Sequence, residues 1–288
     1  KKALSYDLSP ETVKDPQLQK ALEDILKKWR WSRYHIAILD ITDPENPRYA
    51  GIQDHVSQTP GSVAKVLVGA AMLNELKKRF PDDIAKREEL LRSHKVTADD
   101  WARTDSHEVP FILDEANTVA SYKKVRTGHT FTLWEWMDHA LSASNNSAAS
   151  TTWREATLMK LLGDEYPPEK YDKELWAKWD RDQMTEASFA VVNEPLVDVG
   201  MDPEVFRLRL YFTSGANRYI RSKPCGLTPF ALVRWMLKVE QGKMVDEWSS
   251  RELKKMLYLT RRRVRYLYYN TLDPYGAFFK SGSLYRFS

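Results

Sequence analysis

Two serines in the chain are followed three positions later by a lysine: Ser62-Val63-Ala64-Lys65 and Ser121-Tyr122-Lys123-Lys124. On a helix, residues three apart share a face, so such a lysine can stand beside the serine hydroxyl. If that lysine is buried, its charge loses solvation, its pKa falls, and the neutral amine can take the hydroxyl proton and activate a nucleophile. The two copies differ in setting. Lys65 opens the apolar run Val66 to Leu73, and a lysine in a buried helix start needs a partner or a purpose. Lys124 lies in a polar stretch and needs neither. Ser62 is therefore the candidate nucleophile and Lys65 its candidate base. Ser144-Asn145-Asn146 adds a hydroxyl that could relay a proton to a leaving group and an amide that could bind a substrate amide, although the same cluster also suits a helix cap or a turn. Lys280-Ser281-Gly282 adds a lysine and a hydroxyl able to hold a carboxylate, with a glycine that lets a substrate backbone come close.

Taken in order, Ser-x-x-Lys, Ser-x-Asn and Lys-[Ser/Thr]-Gly form the signature set of the class A β-lactamases and penicillin-binding proteins. The chain resembles that superfamily over most of its length. Leu227-Thr228-Pro229-Phe230-Ala231 looks like the family's Thr-Pro helix start, and Gly242 to Leu257 is similar to the segment that follows it. Ser142 to Ala149 resembles the Ser-Asp-Asn region with Asn145 in place of the aspartate, while Glu155 to Ser222 matches poorly. The resemblance implies an α+β fold of the β-lactamase/DD-peptidase type. Residues 1–60 and 223–288 would form a discontinuous subdomain around an antiparallel sheet, and residues 61–222 a mainly helical one. It further implies that Ser62 attacks a carbonyl to form an acyl-enzyme, that Lys65 is the general base, and that Ser144 passes a proton to the leaving nitrogen. Asn146 would hold the substrate's side-chain amide, and Lys280 and Ser281 its carboxylate. The backbone N–H groups of Ser62 and Ser283, flanking Gly282, would form the oxyanion hole.

Two departures from the family pattern carry expectations of their own. Class A enzymes place Glu-x-x-Leu-Asn on a loop, where the glutamate activates the deacylating water. No such motif stands at the matching distance before Thr228, and the nearest look-alike is Glu194-Pro195-Leu196-Val197-Asp198. Glu194 is the one candidate deacylation base; without it the acyl-enzyme should persist, as in penicillin-binding proteins. In the family, two more strands and a helix follow Lys-[Ser/Thr]-Gly, whereas only Leu284 to Ser288 follow Ser283 here. The sheet is expected to lack those strands, and Arg265 stands in as a candidate carboxylate partner for the family's arginine.

The elements that must position these residues are partly legible. Leu18, Leu22, Ile25, Leu26 and Trp29 recur at helical spacing and predict a helix over 15–30. Strands are predicted over 34–41 and 48–53, with a turn between them. The spacing predicts helices over 62–80, 132–141, 228–239 and 247–259, and a strand over 277–280. Residues 82–129 are charged and turn-rich without a strong period, and 167–182 reads as an exposed excursion.

Composition narrows the function classes. A net charge of +4 over 288 residues is too small to imply a nucleic-acid partner, and the run Arg261-Arg262-Arg263-Val264-Arg265 reads as a solvated helix end. Cys225 is the lone cysteine, so no internal disulfide forms. No apolar run approaches a membrane span, and no signal peptide stands in the chain. The resemblance implies a periplasmic or extracellular location. The six histidines show no metal-ligand spacing, so neither metal nor cofactor is expected. The expected partner is a small-molecule or peptide substrate, with a protein partner left open. Two other readings compete: a glutaminase-like amidase, against which Ser144-Asn145-Asn146 argues, and a non-catalytic recognition module that keeps the fold.

Overall fold

The computed structural model describes residues 4–29, 33–103, 105, 107–112, 120–260 and 276–283. Asp15 starts the first helix: its carboxylate accepts the amide of Leu18 at 2.7 Å, and Pro16 fills a first-turn position where its missing N–H costs nothing. This helix, α1 (Pro16–Leu26), ends four residues before the predicted Arg30. Leu22 and Leu26 bury against Ala50 and Ile52, whereas Ile25 and Trp29 of the predicted stripe are exposed. Strands β1 (Ile36–Asp40) and β2 (Arg48–Ile52) follow as an antiparallel hairpin with Ile38 opposite Ala50.

Gly61 takes φ 52°, a left-handed conformation that costs glycine little. A single 3-10 turn, Gly61–Ala64, then leads into α2 (Lys65–Arg79). Every residue from Lys65 to Leu76 is buried, which is what an all-round apolar helix requires. It is wrapped by neighbours close enough that a Cβ on Gly69 would stand 2.9 Å from a Leu253 methyl. After it come α3 (Ile84–Ser93), β3 (Lys95–Thr97), β4 (Glu108–Ile112), β5 (Ala120–Lys124) and β6 (Thr130–Thr132). β3 pairs with β6 and β4 with β5, both antiparallel. Among its described residues, the stretch without a legible period thus holds one α-helix, a 3-10 turn at Asp100–Ala102 and three strands.

Helix α4 (Leu133–Leu141) begins at Thr132 with a reciprocal capping box to Glu135, as its sequence predicts. α5 (Asn146–Leu162) and α7 (Arg181–Asp198), with the short α6 (Lys173–Trp176) between them, complete the packing around α2. Neither α5 nor α7 is evident in the sequence pattern. β7 (Phe206–Arg207) pairs with β8 (Gly226–Leu227), and α8 (Pro229–Glu240) and α9 (Glu247–Tyr258) follow within a residue or two of their predicted bounds. α8 lies on the hairpin, where Phe230 and Leu237 bury with Tyr49 and Leu8. The tryptophans Trp101, Trp136, Trp153 and Trp235 are fully buried in the main core.

The strand predicted over 277–280 is not formed among the described residues. The Phe279 amide donates to the Leu257 carbonyl at 3.4 Å and its carbonyl accepts from the Thr260 hydroxyl at 2.9 Å. An apolar groove of about 550 Å³, lined by Ala37, Ile38, Leu39 and Phe278 among others, separates this segment from β1. The described strands accordingly pair only in twos. No described helix is long and apolar enough to cross a membrane.

Candidate active site

The two Ser-x-x-Lys copies are separated by their backbones. Ser121 and Lys124 lie on β5, where side chains three apart point to opposite faces of the sheet, so Lys124 cannot serve Ser121. Ser62 lies in the 3-10 turn and Lys65 at the start of α2. Lys65 is fully buried. Its Nζ donates to the Ser144 carbonyl at 2.5 Å and to Asn146 Oδ1 at 2.6 Å, with Ser144 Oγ at 3.5 Å. No hydrogen bond joins it to Ser62 among the described residues. The Phe212 ring covers it, with the ring centre 5.0 Å from Nζ. Burial, reinforced by the charge of Lys280 and opposed by that of Asp105, pushes the Lys65 pKa well below the ordinary lysine value. A neutral amine has two protons to donate and one lone pair to accept with. In that form the two short contacts would use both protons and leave the lone pair for a hydroxyl.

Ser144 stands at the junction of α4 and α5 with φ 59°, a conformation uncommon for a residue with a Cβ and found where surrounding structure enforces it. The enforcement is visible on both sides. The amide of Asn145 donates to the His139 carbonyl at 3.0 Å. Asn145 also caps α5, its Oδ1 accepting the Ala148 amide at 2.7 Å, and its Nδ2 donates to the His107 carbonyl at 2.9 Å. The aspartate-to-asparagine departure at 145 is thus a helix cap that also ties down a neighbouring loop. With Ser144 so turned, its carbonyl meets Lys65 and its Oγ accepts from Lys280 Nζ at 2.7 Å. Because Asn146 Oδ1 is taken by Lys65, the Asn146 Nδ2 is left to donate into the cleft.

Lys280 also donates to the Ser281 carbonyl at 2.9 Å. Gly282 explains how this segment closes on the nucleophile: a Cβ there would stand 2.8 Å from the Pro60 carbonyl and 3.1 Å from the Val63 amide. Glycine is required because two backbones meet. Ser62, Ser144, Asn146, Ser281 and Ser283 line a single cleft of about 670 Å³. The expected residues from three distant stretches are therefore brought together.

One expected residue is not. Glu194, on α7, has its carboxylate held by Lys160 at 2.7 Å and by Lys78. Those bonds outweigh partial burial and keep its pKa below the ordinary value. α2 rises roughly 20 Å between Lys65 and Lys78, so Glu194 sits at the far end of that helix from the nucleophile. Its sequence likeness to the family's loop glutamate reflects Pro195 inside a helix, not a loop at the cleft. Arg265 lies outside the described residues.

Sequence reasoning missed one chemically capable residue of the cleft, His107. Its Nδ1 stands 2.7 Å from Asp105 Oδ1, and its own amide donates to the same oxygen at 3.0 Å. Asp105 is buried, and its Oδ2 accepts the amides of Asn146 and Ser147 at 2.5 and 3.2 Å. Burial alone would raise the Asp105 pKa, but the bonds from His107 and from the helix amide hold it below the ordinary value. The Asp-x-His spacing in the sequence was the available signal.

No family model and no curated protein matches the chain. Solved structures do. The TLA-3 extended-spectrum β-lactamase aligns over 88% of this chain and 74% of its own, with 13% identity and a TM-score of 0.55. PBP-A aligns over 89% and 73%, with 11% identity and a TM-score of 0.52. A mutant of the class A β-lactamase of the last common ancestor of Gram-negative bacteria aligns over 85% and 71%, with 18% identity and a TM-score of 0.51. The chain spans 60% of the length of a β-lactamase from Sphaerobacter thermophilus DSM 20745. The fold is therefore β-lactamase-like and penicillin-binding-protein-like, an α+β architecture.

Proposed function

We propose that the chain is a serine acyl-transfer enzyme acting on a peptide-like or β-lactam amide. One observation carries this reading: the buried amine of Lys65 is held on the Ser144 carbonyl and Asn146 Oδ1, while Lys280 holds the Ser144 hydroxyl, in the cleft that Ser62 lines. In this mechanism the neutral Lys65 takes the Ser62 proton as Oγ attacks the substrate carbonyl. The carbonyl oxygen, now an anion, falls to the Ser62 and Ser283 amides. Ser144, polarised by Lys280, delivers a proton to the leaving nitrogen and is reprotonated by the Lys65 ammonium, whose Nζ stands 3.5 Å from its Oγ. Asn146 Nδ2 orients the acyl side chain, and Lys280 and Ser281 hold a carboxylate. A location outside the cytoplasm goes with this reading.

A non-catalytic recognition module is the second reading. It is favoured by Lys65 donating to Ser144 and Asn146 with no bond to Ser62 among the described residues. Fluorophosphonate labelling followed by peptide mapping separates the two, because that adduct is not released by water. One equivalent of label on Ser62, absent in Ser62→Ala, is the expected result. Label on Ser121, or no label on any serine, sinks the catalytic reading.

A further inference from the structure

A deacylating water needs a base within about 3 Å, directly or through one water. No aspartate or glutamate lines the cleft among the described residues. Its titratable lining is His107, Tyr211, Lys223 and Cys225, and three of these are poorly suited. The Tyr211 hydroxyl turns into the core onto Ser188 Oγ at 3.0 Å, and burial pushes its pKa up to about 12. Burial also raises the Cys225 thiol, whose sulfur accepts the Arg209 amide at 3.3 Å. Lys223 is exposed to water. His107 differs. With its Nδ1–H directed at Asp105, the other ring nitrogen carries the lone pair, and no hydrogen bond to that nitrogen is found among the described residues. An imidazole oriented by a buried carboxylate, on the wall of a reaction cleft, is the arrangement that makes histidine a general base.

Resting on the acyl-transfer reading, we propose that His107 is the general base that activates water for hydrolysis of the Ser62 acyl-enzyme, with Asp105 as its positioning residue. His107 Nε2 takes a proton from the water as the water oxygen bonds to the acyl carbon. The tetrahedral intermediate collapses, the bond from the acyl carbon to Ser62 Oγ breaks, and the proton passes from the imidazolium to that departing oxygen. The product is a carboxylic acid and free Ser62, so atoms and protons balance. Asp105 joins this step to the acylation machinery. The carboxylate that orients His107 also caps the first amides of α5, and Asn146 at that helix start grips Lys65. The titratable groups around the imidazole are Asp105 on its own segment, the Lys65 amine that feels the charges of Lys280 and Asp105, and Lys223 on the cleft wall. This assignment reverses the expectation of a persistent acyl-enzyme, which rested on the missing loop glutamate.

The test separates the two acyl steps. Wild type, His107→Ala and His107→Gln are mixed with a fluorescent penicillin, quenched in acid at intervals, and the adduct on Ser62 is counted by intact mass. The His107 carbonyl that accepts from Asn145 is backbone and survives both substitutions. The expected result is an equal burst in all three proteins, with release slowed about 100-fold or more in the variants, in the range general bases contribute. Added imidazole should speed release from His107→Ala. Glu194→Gln should release as wild type does. A wild-type adduct that persists, equal release in the His107 variants, or loss of the burst itself in those variants overturns the assignment while leaving acylation at Ser62 intact. No adduct from either penicillin or fluorophosphonate in the wild type overturns the acyl-transfer reading and this inference with it.

Discussion

Replacing Lys65 with methionine is expected to slow acylation of Ser62 by about 10²–10⁴-fold, the contribution of a positioned general base. Methionine fills the buried space with an uncharged chain, so the loss can be assigned to the amine. In the wild type, burial places the Lys65 pKa well below the ordinary lysine value. The reactive form is the neutral amine, so the acylation rate should climb with pH through that lowered value and then level off. Lys65→Met should lack the climb. Stability gives an independent check with a definite sign. In the unfolded chain the lysine binds its proton up to its ordinary pKa, whereas the folded chain releases it earlier. Between the two values the unfolded state holds more protons, so stability rises with pH across that window. The cost of a buried charge is fully present below it. Melting temperatures of wild type and Lys65→Met, compared across pH, should converge or cross as pH rises. A parallel offset at every pH would show that the folded lysine stays charged, and the proton-abstraction step would then have no base.

The second large effect is on folding. Arg154 and Glu155 are fully buried on α5. Arg154 Nε donates to Glu155 Oε1 at 2.7 Å and Nη1 to Asp99 Oδ2 at 2.7 Å, while the hydroxyls of Tyr166 and Tyr171 donate to Glu155 Oε2 at 2.8 and 2.7 Å. Arg154→Ala leaves a carboxylate in the core with its countercharge gone. Breaking a buried pair in this way costs about 3–5 kcal/mol, a large share of the 5–15 kcal/mol that holds a typical domain together. Urea unfolding should show a midpoint far below wild type, or no folded protein. Arg154→Met combined with Glu155→Gln removes both charges and should recover part of the loss. A midpoint for Arg154→Ala close to wild type would mean that water reaches Glu155 and that this cluster is not a sealed element of the core.

How far these features could be read from sequence depended on whether a residue's role is local. α2 was legible because its apolar run is continuous, and α4 and α8 because Thr132 and Thr228 carry their caps in the three residues that follow. α7 was hidden although its buried positions, Met184, Ala187, Ser188, Val191, Val192, Pro195 and Leu196, keep helical spacing. Alanine, serine and proline at those positions give no hydropathy signal. α5 is buried on all sides and has no polar face to set a period against. The strand expected at 277–280 failed for a different reason: an apolar run can predict extended backbone, but a ladder needs a neighbour, and the neighbour is a property of the whole fold. Ser62, Lys65, Ser144 and Lys280 were found because their order in the chain is itself the signal. His107 carries no such order in the chain, and its one local signal is the partner two residues away at Asp105.

The seating of residues 276–283 bears on how the molecule loses competence. Lys280 reaches Ser144 from a segment that no strand ladder anchors among the described residues. Among the described residues its contacts include Phe279 against Leu257 and Thr260, Phe278 against Tyr258, and Gly282 pressed on the turn at Pro60. Lys65, by contrast, is rooted in α2, where every residue from Lys65 to Leu76 is buried. Such a difference allows one half of a site to open while the other stays closed, because local opening requires far less free energy than global unfolding. Amides of 276–283 should exchange with deuterium orders of magnitude faster than those of α2. On gentle heating, penicillin labelling should fade while the helical circular-dichroism signal is still intact. The cleft would then come apart by release of its last-docked wall, with the nucleophile and its amine still in register behind it.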